Sequence, residues 1–215
     1  LTAEELLYMT LLPSYADACN ILAVAVDGTI EDFVDHMNRK AAELGCQNTH
    51  FTNPVGIHNE NHYSTPYDLA LIMKACLEYD TFLRIAQTPK YTLRATEMSG
   101  PREMYNSNAL VSTWNHSGYL YEKCIGGKTG NTDEAGRCLV AAAEDNDEIL
   151  ISVVIGSGPM PVPGEEDLKQ GHFRESKRLL EYGFNNFQRV TITKDSEPVE
   201  TVKGTMSRQA DEVNV

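Results

Sequence analysis

The sequence of 215 residues predicts an α+β fold in which helices flank an antiparallel sheet. Three stretches, at positions 124 to 130, 137 to 143 and 149 to 156, have the length of strands, and the second and third are apolar runs. Only short polar turns separate these runs. Because parallel neighbours need a crossover of about a dozen residues or more, we expect antiparallel pairing. Further upstream, apolar residues recur at helical spacing, which predicts helices.

The first two helices surround a serine. Residues 2 to 12 carry two acids in a first turn followed by apolar residues, which predicts a helix ended by Pro13. Residues 16 to 26 are almost wholly apolar and predict a second helix that is buried on most sides. Ser14 is the expected N-cap of this second helix. We therefore expect Ser14 to lie deep in the domain.

The middle of the chain alternates helices with polar loops. An amphipathic helix is expected to end at Gly45, because glycine suits a left-handed C-terminal cap. A polar loop is expected over residues 46 to 64. Thr65 and Pro66 then predict the N-cap and first residue of another helix. Residues 91 to 96 alternate like a half-exposed strand.

The C-terminal part contains a loop, a helix and a β-rich end. Residues 156 to 171 are rich in proline, glycine and acids, which predicts a surface loop and not a folded element. A helix is expected to begin at about Phe173. Residues 190 to 192 and 198 to 202 are expected to be the strands of a hairpin.

The composition limits the classes of partner. A hydrophobic content of 41% at this length supports a sizeable core, and a formal net charge of −13 gives no basic surface for nucleic acid. No apolar run approaches the roughly 20 residues that span a bilayer. We therefore expect no nucleic-acid partner, and membrane contact only through segments outside this chain.

Neither a metal nor another cofactor is expected. The five cysteines are scattered without a Cys-x-x-Cys pair, so they predict neither a zinc site nor a disulfide framework. His58 and His62 lie in a loop and lack the helical His-Glu-x-x-His order of a zinc protease. Hydrogen bonding to the backbone is the preferred interpretation of these histidines.

The stretch Gly126-Gly127-Lys128-Thr129-Gly130-Asn131-Thr132 places a lysine and a hydroxyl on glycine-rich backbone. Its Gly-Lys-Thr sequence resembles the end of a P-loop, but that motif requires a glycine where Glu122 stands. A P-loop also leads into a helix, whereas strands are expected here. Nucleotide binding is therefore not predicted.

Three stretches follow one another in the chain: Leu11-Leu12-Pro13-Ser14-Tyr15-Ala16-Asp17-Ala18, Phe51-Thr52-Asn53-Pro54-Val55-Gly56-Ile57 with His62-Tyr63-Ser64-Thr65, and Gly127-Lys128-Thr129-Gly130. In this order they resemble the penicillin-binding D-alanyl-D-alanine carboxypeptidases of the serine β-lactamase superfamily. The resemblance covers about residues 1 to 190. It implies that residues 1 to 186 are the C-terminal portion of the penicillin-binding catalytic domain. Residues 187 to 215 would begin a small β-rich domain.

The resemblance implies a serine peptidase that removes terminal D-alanine from peptidoglycan stem peptides and is acylated by β-lactams. Ser14 would relay a proton to the leaving amine, and Lys128 would polarise Ser14 and place positive charge near the substrate's terminal carboxylate. Thr129 would bind that carboxylate. Gly130 would let the substrate lie along the strand edge, and the backbone N–H of Asn131 would form half of the oxyanion hole.

The family's nucleophile and general base come from a Ser-x-x-Lys motif. No serine of this chain is followed three residues later by lysine. The resemblance therefore implies that a missing N-terminal segment of the same protein supplies the nucleophile.

Two positions depart from the family's pattern. Ala16 stands where the family usually has an asparagine that contacts the acyl side of the substrate. His172 stands where the family tends to carry an arginine for the carboxylate, and Arg174 is the nearest cation in sequence. Because histidine is charged only when protonated, His172 predicts pH-dependent carboxylate binding.

Other interpretations stay open. On local sequence alone, Ser14 suits a simple helix cap and Lys128 a solvated turn. A non-catalytic peptidoglycan-binding or β-lactam-sensing module is the alternative function, because Ala16 and the absent nucleophile favour it. A β-lactamase is a third, against which the β-rich tail argues.

The expected partners are peptidoglycan pentapeptides ending in D-Ala-D-Ala and β-lactam antibiotics. The expected location is extracytoplasmic, with membrane association of the full-length protein.

Overall fold

A computed structural model describes residues 1–161, 169–190, 201–203 and 212–214. The chain divides into two compact units, Leu1–Asn185 and Asn186–Val215. The described residues of the second unit include an antiparallel strand pair, formed by β8 (Thr201–Lys203) and β9 (Glu212–Asn214).

Six described helices occur in the first unit. They are α1 (Ala3–Leu11), α2 (Ala16–Asp27), α3 (Ile30–Glu43), α4 (Pro66–Cys76), α5 (Asp80–Ala86) and α6 (Gly171–Asn186), whose final residue lies just beyond the unit boundary. Three of them begin with a threonine whose hydroxyl accepts a backbone N–H of the first turn, namely Thr2, Thr29 and Thr65. The predictions of Pro66 at the start of α4 and of Gly45 as a left-handed cap, with φ 86°, are confirmed.

The main sheet has three antiparallel strands in the order β3-β4-β5, as the short turns predicted. These are β3 (Cys124–Thr132), β4 (Gly136–Asp145) and β5 (Glu148–Ser157), each slightly longer than its predicted run. The register shifts between Cys124 and Gly126, where Gly126 takes φ 133°. Among the described strands, β3 pairs on one side only, so its other edge is open to the neighbouring cavity.

Helices α4 and α6 pack against this sheet. On one face, the buried Leu139, Ala141 and Ala143 of β4 form a cluster with Phe173 and Leu180 of α6. Helix α4 also contacts β4 and β5. Since successive strand residues point to opposite faces, the burial of the consecutive Ala141, Ala142 and Ala143 shows that both faces of β4 are covered at this point. The arrangement confirms the predicted mixed fold of helices and an antiparallel sheet.

A second apolar cluster lies beside the sheet. Tyr8 and Leu12 of α1 pack there with Ile85 of α5 and with one residue from each strand of a hairpin, Leu93 and Met104. The hairpin consists of β1 (Lys90–Leu93) and β2 (Arg102–Tyr105). This cluster fixes the end of α1, and therefore the turn that carries Ser14.

Two predictions about the second helix are wrong. Ser14 is not its N-cap, because the capping position is Tyr15, which makes no side-chain cap hydrogen bond. The helix is not buried on most sides either, since Ile21 and Val24 are about half exposed, at 51% and 46%. Helix α2 packs mainly against α1 and α3, which leaves these apolar side chains exposed in the described residues. Ser14 is therefore exposed and not deep in the domain.

Other elements differ from the expected ones. Helix α5 and strand β2 were not predicted, and the predicted strand at residues 91 to 96 begins and ends earlier as β1. Within the predicted loop of residues 156 to 171, two-residue strands pair as β6 (Pro159–Met160) and β7 (Lys169–Gln170). Most of the predicted hairpin at residues 190 to 202 lies outside the described residues. No helix within the described residues is long and apolar enough to cross a bilayer.

Candidate active site

A cavity of about 790 Å³ lies at the open edge of β3. Its walls include the turn around Ser14, a loop spanning residues 51–62, strand β3 with the neighbouring Arg137, and the start of α6. The cavity is therefore built from all three sequence stretches that resemble the penicillin-binding family. Strand β3 supplies the adjacent residues Lys128, Thr129, Gly130 and Asn131.

The side chain of Lys128 reaches the hydroxyl of Ser14. Its ammonium Nζ donates hydrogen bonds to Ser14 Oγ and, at 2.7 Å, to the carbonyl oxygen of Thr129. Burial lowers the pKa of Lys128 to about 8, because a charged amine loses hydration in the cavity wall. Lys128 is thus still mostly protonated at neutral pH. One of its three N–H donors remains for a ligand.

Ser14 has an unusual backbone conformation. Its φ is 63°, in the left-handed region that non-glycine residues seldom enter. The flanking backbone is held in place, since Leu12 N–H donates to Tyr8 O at 3.0 Å and Tyr15 N–H donates to Met9 O at 3.0 Å. Strained residues of this kind cost of order 1–3 kcal/mol and cluster at functional sites. The turn thus points the hydroxyl of Ser14 towards Lys128 at the expense of local stability.

Ser107 is a cavity residue that the sequence did not reveal. Its hydroxyl lies 2.6 Å from Thr129 Oγ1, and its backbone N–H donates to Leu12 O at 3.1 Å. It therefore connects the turn before Ser14 to strand β3. The adjacent Asn106 and Asn108 are buried and fix this segment through hydrogen bonds to the backbone. The polar run at positions 106 to 108 was the available signal, but it indicated no position in space.

Gly130 and Asn131 lie further along the same edge. Both are exposed and both line the cavity. In the register of the sheet, Gly130 is opposite Cys138 and Asn131 is opposite Arg137. An extended ligand can approach Gly130 closely, because no side chain projects from it. Strand β3 can therefore accept a further strand along this edge.

The loop of residues 51–62 is held by its own polar groups. Asn53 Oδ1 accepts backbone N–H groups from Val55, Gly56 and Ile57 at 3.2, 2.7 and 3.0 Å. His62 Nδ1 accepts the backbone N–H of Thr52 at 3.2 Å, which is the backbone role expected from the sequence. These bonds shape the wall of the cavity that faces β3.

Among the described residues, no group of three His, Cys, Asp or Glu side chains could hold a metal ion.

Ala16 lies exposed at the start of α2, next to the Ser14 turn. It offers only a methyl group where the family pattern has an amide.

His172 lines the cavity at the start of α6, but it is only 6% exposed. Burial lowers its pKa to about 4, and the nearby charges of Arg137 and His116 add to this effect. Its buried Nδ1 has no hydrogen-bond partner among the described residues. His172 is therefore uncharged at neutral pH. Arg174, the other cation named from the sequence, does not line the cavity and pairs instead with Glu175 at 3.3 Å.

The described lining of the cavity contains basic groups and no carboxylate. Lys128 and Arg137 line it together with three histidines, and the described lining contains no Asp or Glu. This contrasts with the net charge of −13 of the whole chain. The site thus combines a hydroxyl bonded to an ammonium group, a second hydroxyl, an open strand edge and local positive charge. Such a set of groups suits proton transfer beside a bound anionic peptide.

A family model described as D-alanyl-D-alanine carboxypeptidase matches residues 1–158. The D-alanyl-D-alanine carboxypeptidase DacF of Bacillus subtilis is 31% identical over 209 residues, which cover 97% of this chain and 49% of the relative. A D-alanyl-D-alanine carboxypeptidase of a Streptomyces species is 33% identical over 192 residues, which cover 85% of this chain and 61% of the relative. The chain thus spans about half to three fifths of these relatives.

Solved structures show the same similarity. A mutant of a Streptomyces DD-transpeptidase matches with a TM-score of 0.74 and 31% identity, over 86% of this chain and 69% of that one. A D-alanyl-D-alanine carboxypeptidase from Mycobacterium tuberculosis matches with a TM-score of 0.71 and 29% identity, over 86% of this chain and 65% of that one. The chain therefore shares the mixed fold of helices and an antiparallel sheet with these proteins.

Proposed function

Since this chain belongs to the D-alanyl-D-alanine carboxypeptidase family, we propose that it forms part of a serine-type enzyme that removes terminal D-alanine from peptidoglycan stem peptides. The reaction would pass through an acyl-enzyme on the serine of the Ser-x-x-Lys segment, and β-lactams would acylate that same serine. The observation that supports this proposal best is the hydrogen bond from Lys128 to Ser14 at the edge of β3. A hydroxyl bonded to an ammonium group can pass a proton to a leaving amine.

Each residue of the site has one task in this proposal. Ser14 relays the proton to the departing D-alanine nitrogen, and Lys128 keeps Ser14 polarised. The hydroxyl of Thr129, oriented by Ser107, binds the substrate's terminal carboxylate. Gly130 allows the peptide to lie along β3, and the backbone N–H of Asn131 contributes to the oxyanion hole. The nucleophile and its base belong to a Ser-x-x-Lys segment of the same protein.

The setting of the enzyme follows from its substrate. Peptidoglycan stem peptides are outside the cytoplasm, so we place the full-length protein there, with membrane attachment through segments outside these residues. Residues 1 to 186 would be the C-terminal portion of the catalytic domain. Residues 187 to 215 would begin a separate small β-rich domain.

Labelling of the full-length protein with a fluorescent penicillin tests the proposal. We expect a covalent adduct that survives denaturation, disappears after pre-incubation with unlabelled penicillin, and is accompanied by release of D-alanine from a pentapeptide. Absence of any adduct on protein that is folded by circular dichroism would refute the enzyme proposal. An adduct without D-alanine release would instead favour the β-lactam-sensing alternative, to which Ala16 points.

A further inference from the structure

Arg137 of β4 lies next to the residues that are proposed to bind substrate. It is opposite Asn131 in the register of the sheet, while Thr129 is opposite Leu139. Residues two apart on a strand share a face, so Arg137 and Thr129 are diagonal neighbours on one face of the sheet. Such neighbours are about 7–8 Å apart, within reach of a long side chain. Both line the cavity.

Within the described part of the chain, the surroundings of Arg137 orient its guanidinium and provide no acid that pairs with it. The side-chain oxygen Oε1 of Gln170, just before α6, accepts a hydrogen bond from Nη1 of Arg137. No Asp or Glu of the described residues forms an ion pair with Arg137. Four other arginines do pair with a glutamate, namely Arg84, Arg94, Arg174 and Arg178. An arginine has five N–H donors, so several remain for a ligand. Arg137 is thus a positioned, half-buried cation that faces the cavity.

We propose that Arg137 binds the terminal carboxylate of the substrate together with Thr129 and Lys128, in the role that the sequence assigned to His172. This inference rests on the proposed function, because it identifies the cation of the same site. The planar guanidinium can bind a carboxylate through two parallel hydrogen bonds, which an imidazole cannot provide.

The position of His172 supports this assignment. His172 is buried against Phe173, with ring centroids 3.9 Å apart, and it is uncharged at neutral pH. Among the described residues, the ionisable groups that act on it are Arg137 and His116, and neither is an acid that would favour its protonation. A substitution of the family's arginine by His172 removes a cation from α6, and Arg137 returns one from β4.

Acylation of the full-length protein by a penicillin and by its methyl ester tests the inference at pH 7. The two probes differ only in the carboxylate. We expect the wild type to react faster with the free acid. Arg137→Ala should slow the reaction with the free acid by about 10- to 100-fold, as for loss of a charged hydrogen bond, and leave the ester nearly unchanged. Arg137→Lys should have a smaller effect.

Rescue and control variants separate this role from general damage. The double variant Arg137→Ala with His172→Arg should recover part of the preference for the free acid. Arg174→Ala removes a cation outside the cavity and should alter neither rate. An unchanged acid-to-ester ratio in folded Arg137→Ala would overturn the inference, as would a preference that appears only when the pH falls towards 4, where His172 becomes charged.

Failure of the proposed function gives a different result. If neither probe acylates the folded wild type, the acyl-enzyme proposal fails, and Arg137 is judged by equilibrium binding of an acetylated D-alanyl-D-alanine peptide and its C-terminal amide. The binding role would be supported if the wild type prefers the free acid and Arg137→Ala loses this preference. Equal affinities of the wild type and variant for the acid would refute it.

Discussion

The ammonium group of Lys128 donates a hydrogen bond to the hydroxyl of Ser14, across 114 positions of sequence. The bond joins the edge of the sheet to a turn between two helices, so it forms only when both are folded against each other. The buried cluster around Leu12 and Ile85 fixes the turn, and the β4 pairing fixes the strand. The reactive geometry is therefore a product of tertiary packing.

Ser14 allows a test of the cost of this geometry. Ser14→Ala and Ser14→Gly both remove the hydroxyl, and each should reduce D-alanine release by about 10²–10⁴-fold, as for loss of a proton-transfer group. Only glycine relieves the left-handed strain at φ 63°. The free energy of unfolding of Ser14→Gly should therefore be about 0.5–1 kcal/mol higher than that of Ser14→Ala. Steady-state kinetics and urea unfolding measure the two effects. Equal stability of the two variants would contradict the strain.

The lowered pKa of Lys128 predicts an alkaline limit to the reaction. The group is charged below about 8 and neutral above it, so attraction of a carboxylate is complete at neutral pH and is lost as the pH rises through about 8. The second-order rate constant for acylation by penicillin, measured from pH 6 to 10, should therefore fall above pH 8. A rate that rises through pH 8 would show instead that the neutral amine acts as a base.

Ser107 should influence catalysis through Thr129. Ser107→Ala removes the partner of the Thr129 hydroxyl, 2.6 Å away, and a neutral hydrogen bond is worth about 0.5–1.5 kcal/mol. We expect kcat/KM for the pentapeptide to fall about 2- to 13-fold. The exposed Ser117 provides a matched control, and Ser117→Ala should leave kcat/KM unchanged. A similar fall for both variants would remove the special role of Ser107.

Gly126 should be intolerant of a side chain. A Cβ there would lie 2.7 Å from the Cβ of Ala86 in α5, and the φ of 133° disfavours any other residue. Gly126→Ala should lower the free energy of unfolding by about 1–3 kcal/mol. Gly100, with no atom within 4 Å of a built Cβ, is the control, and Gly100→Ala should change stability by less than about 0.5 kcal/mol. Chemical denaturation of both variants checks the contrast.

Much of the fold was predictable because its signals are local. The strand-length stretches of β3, β4 and β5 and the caps at Gly45 and Thr65 act within a few residues, so the sequence indicates them directly. Helix α5 and strand β2 were missed because both are short and acquire their stability from the shared buried cluster. Their sequences lack a strong periodicity of their own.

The site was predictable only as far as its residues lie in recognisable stretches. Ser14 and Lys128 could be named, but the interpretation of Ser14 as a helix cap was wrong, because its backbone is left-handed and Tyr15 takes the capping position. Arg137 reaches the cavity through the register of β4 against β3, and Ser107 reaches it because its hydroxyl lies against Thr129. No local sequence pattern encodes either position.

The charges around the cavity have a consequence for how ligands arrive. An anionic ligand far from this chain experiences the repulsion of a net charge of −13, whereas inside the cavity it meets cationic groups and no described carboxylate. Salt screens interactions beyond a Debye length, about 8 Å at physiological ionic strength, much more than short contacts. Added salt should therefore weaken the distant repulsion first. Association of anionic ligands would then become faster at moderate ionic strength, the reverse of ordinary electrostatic steering between opposite charges.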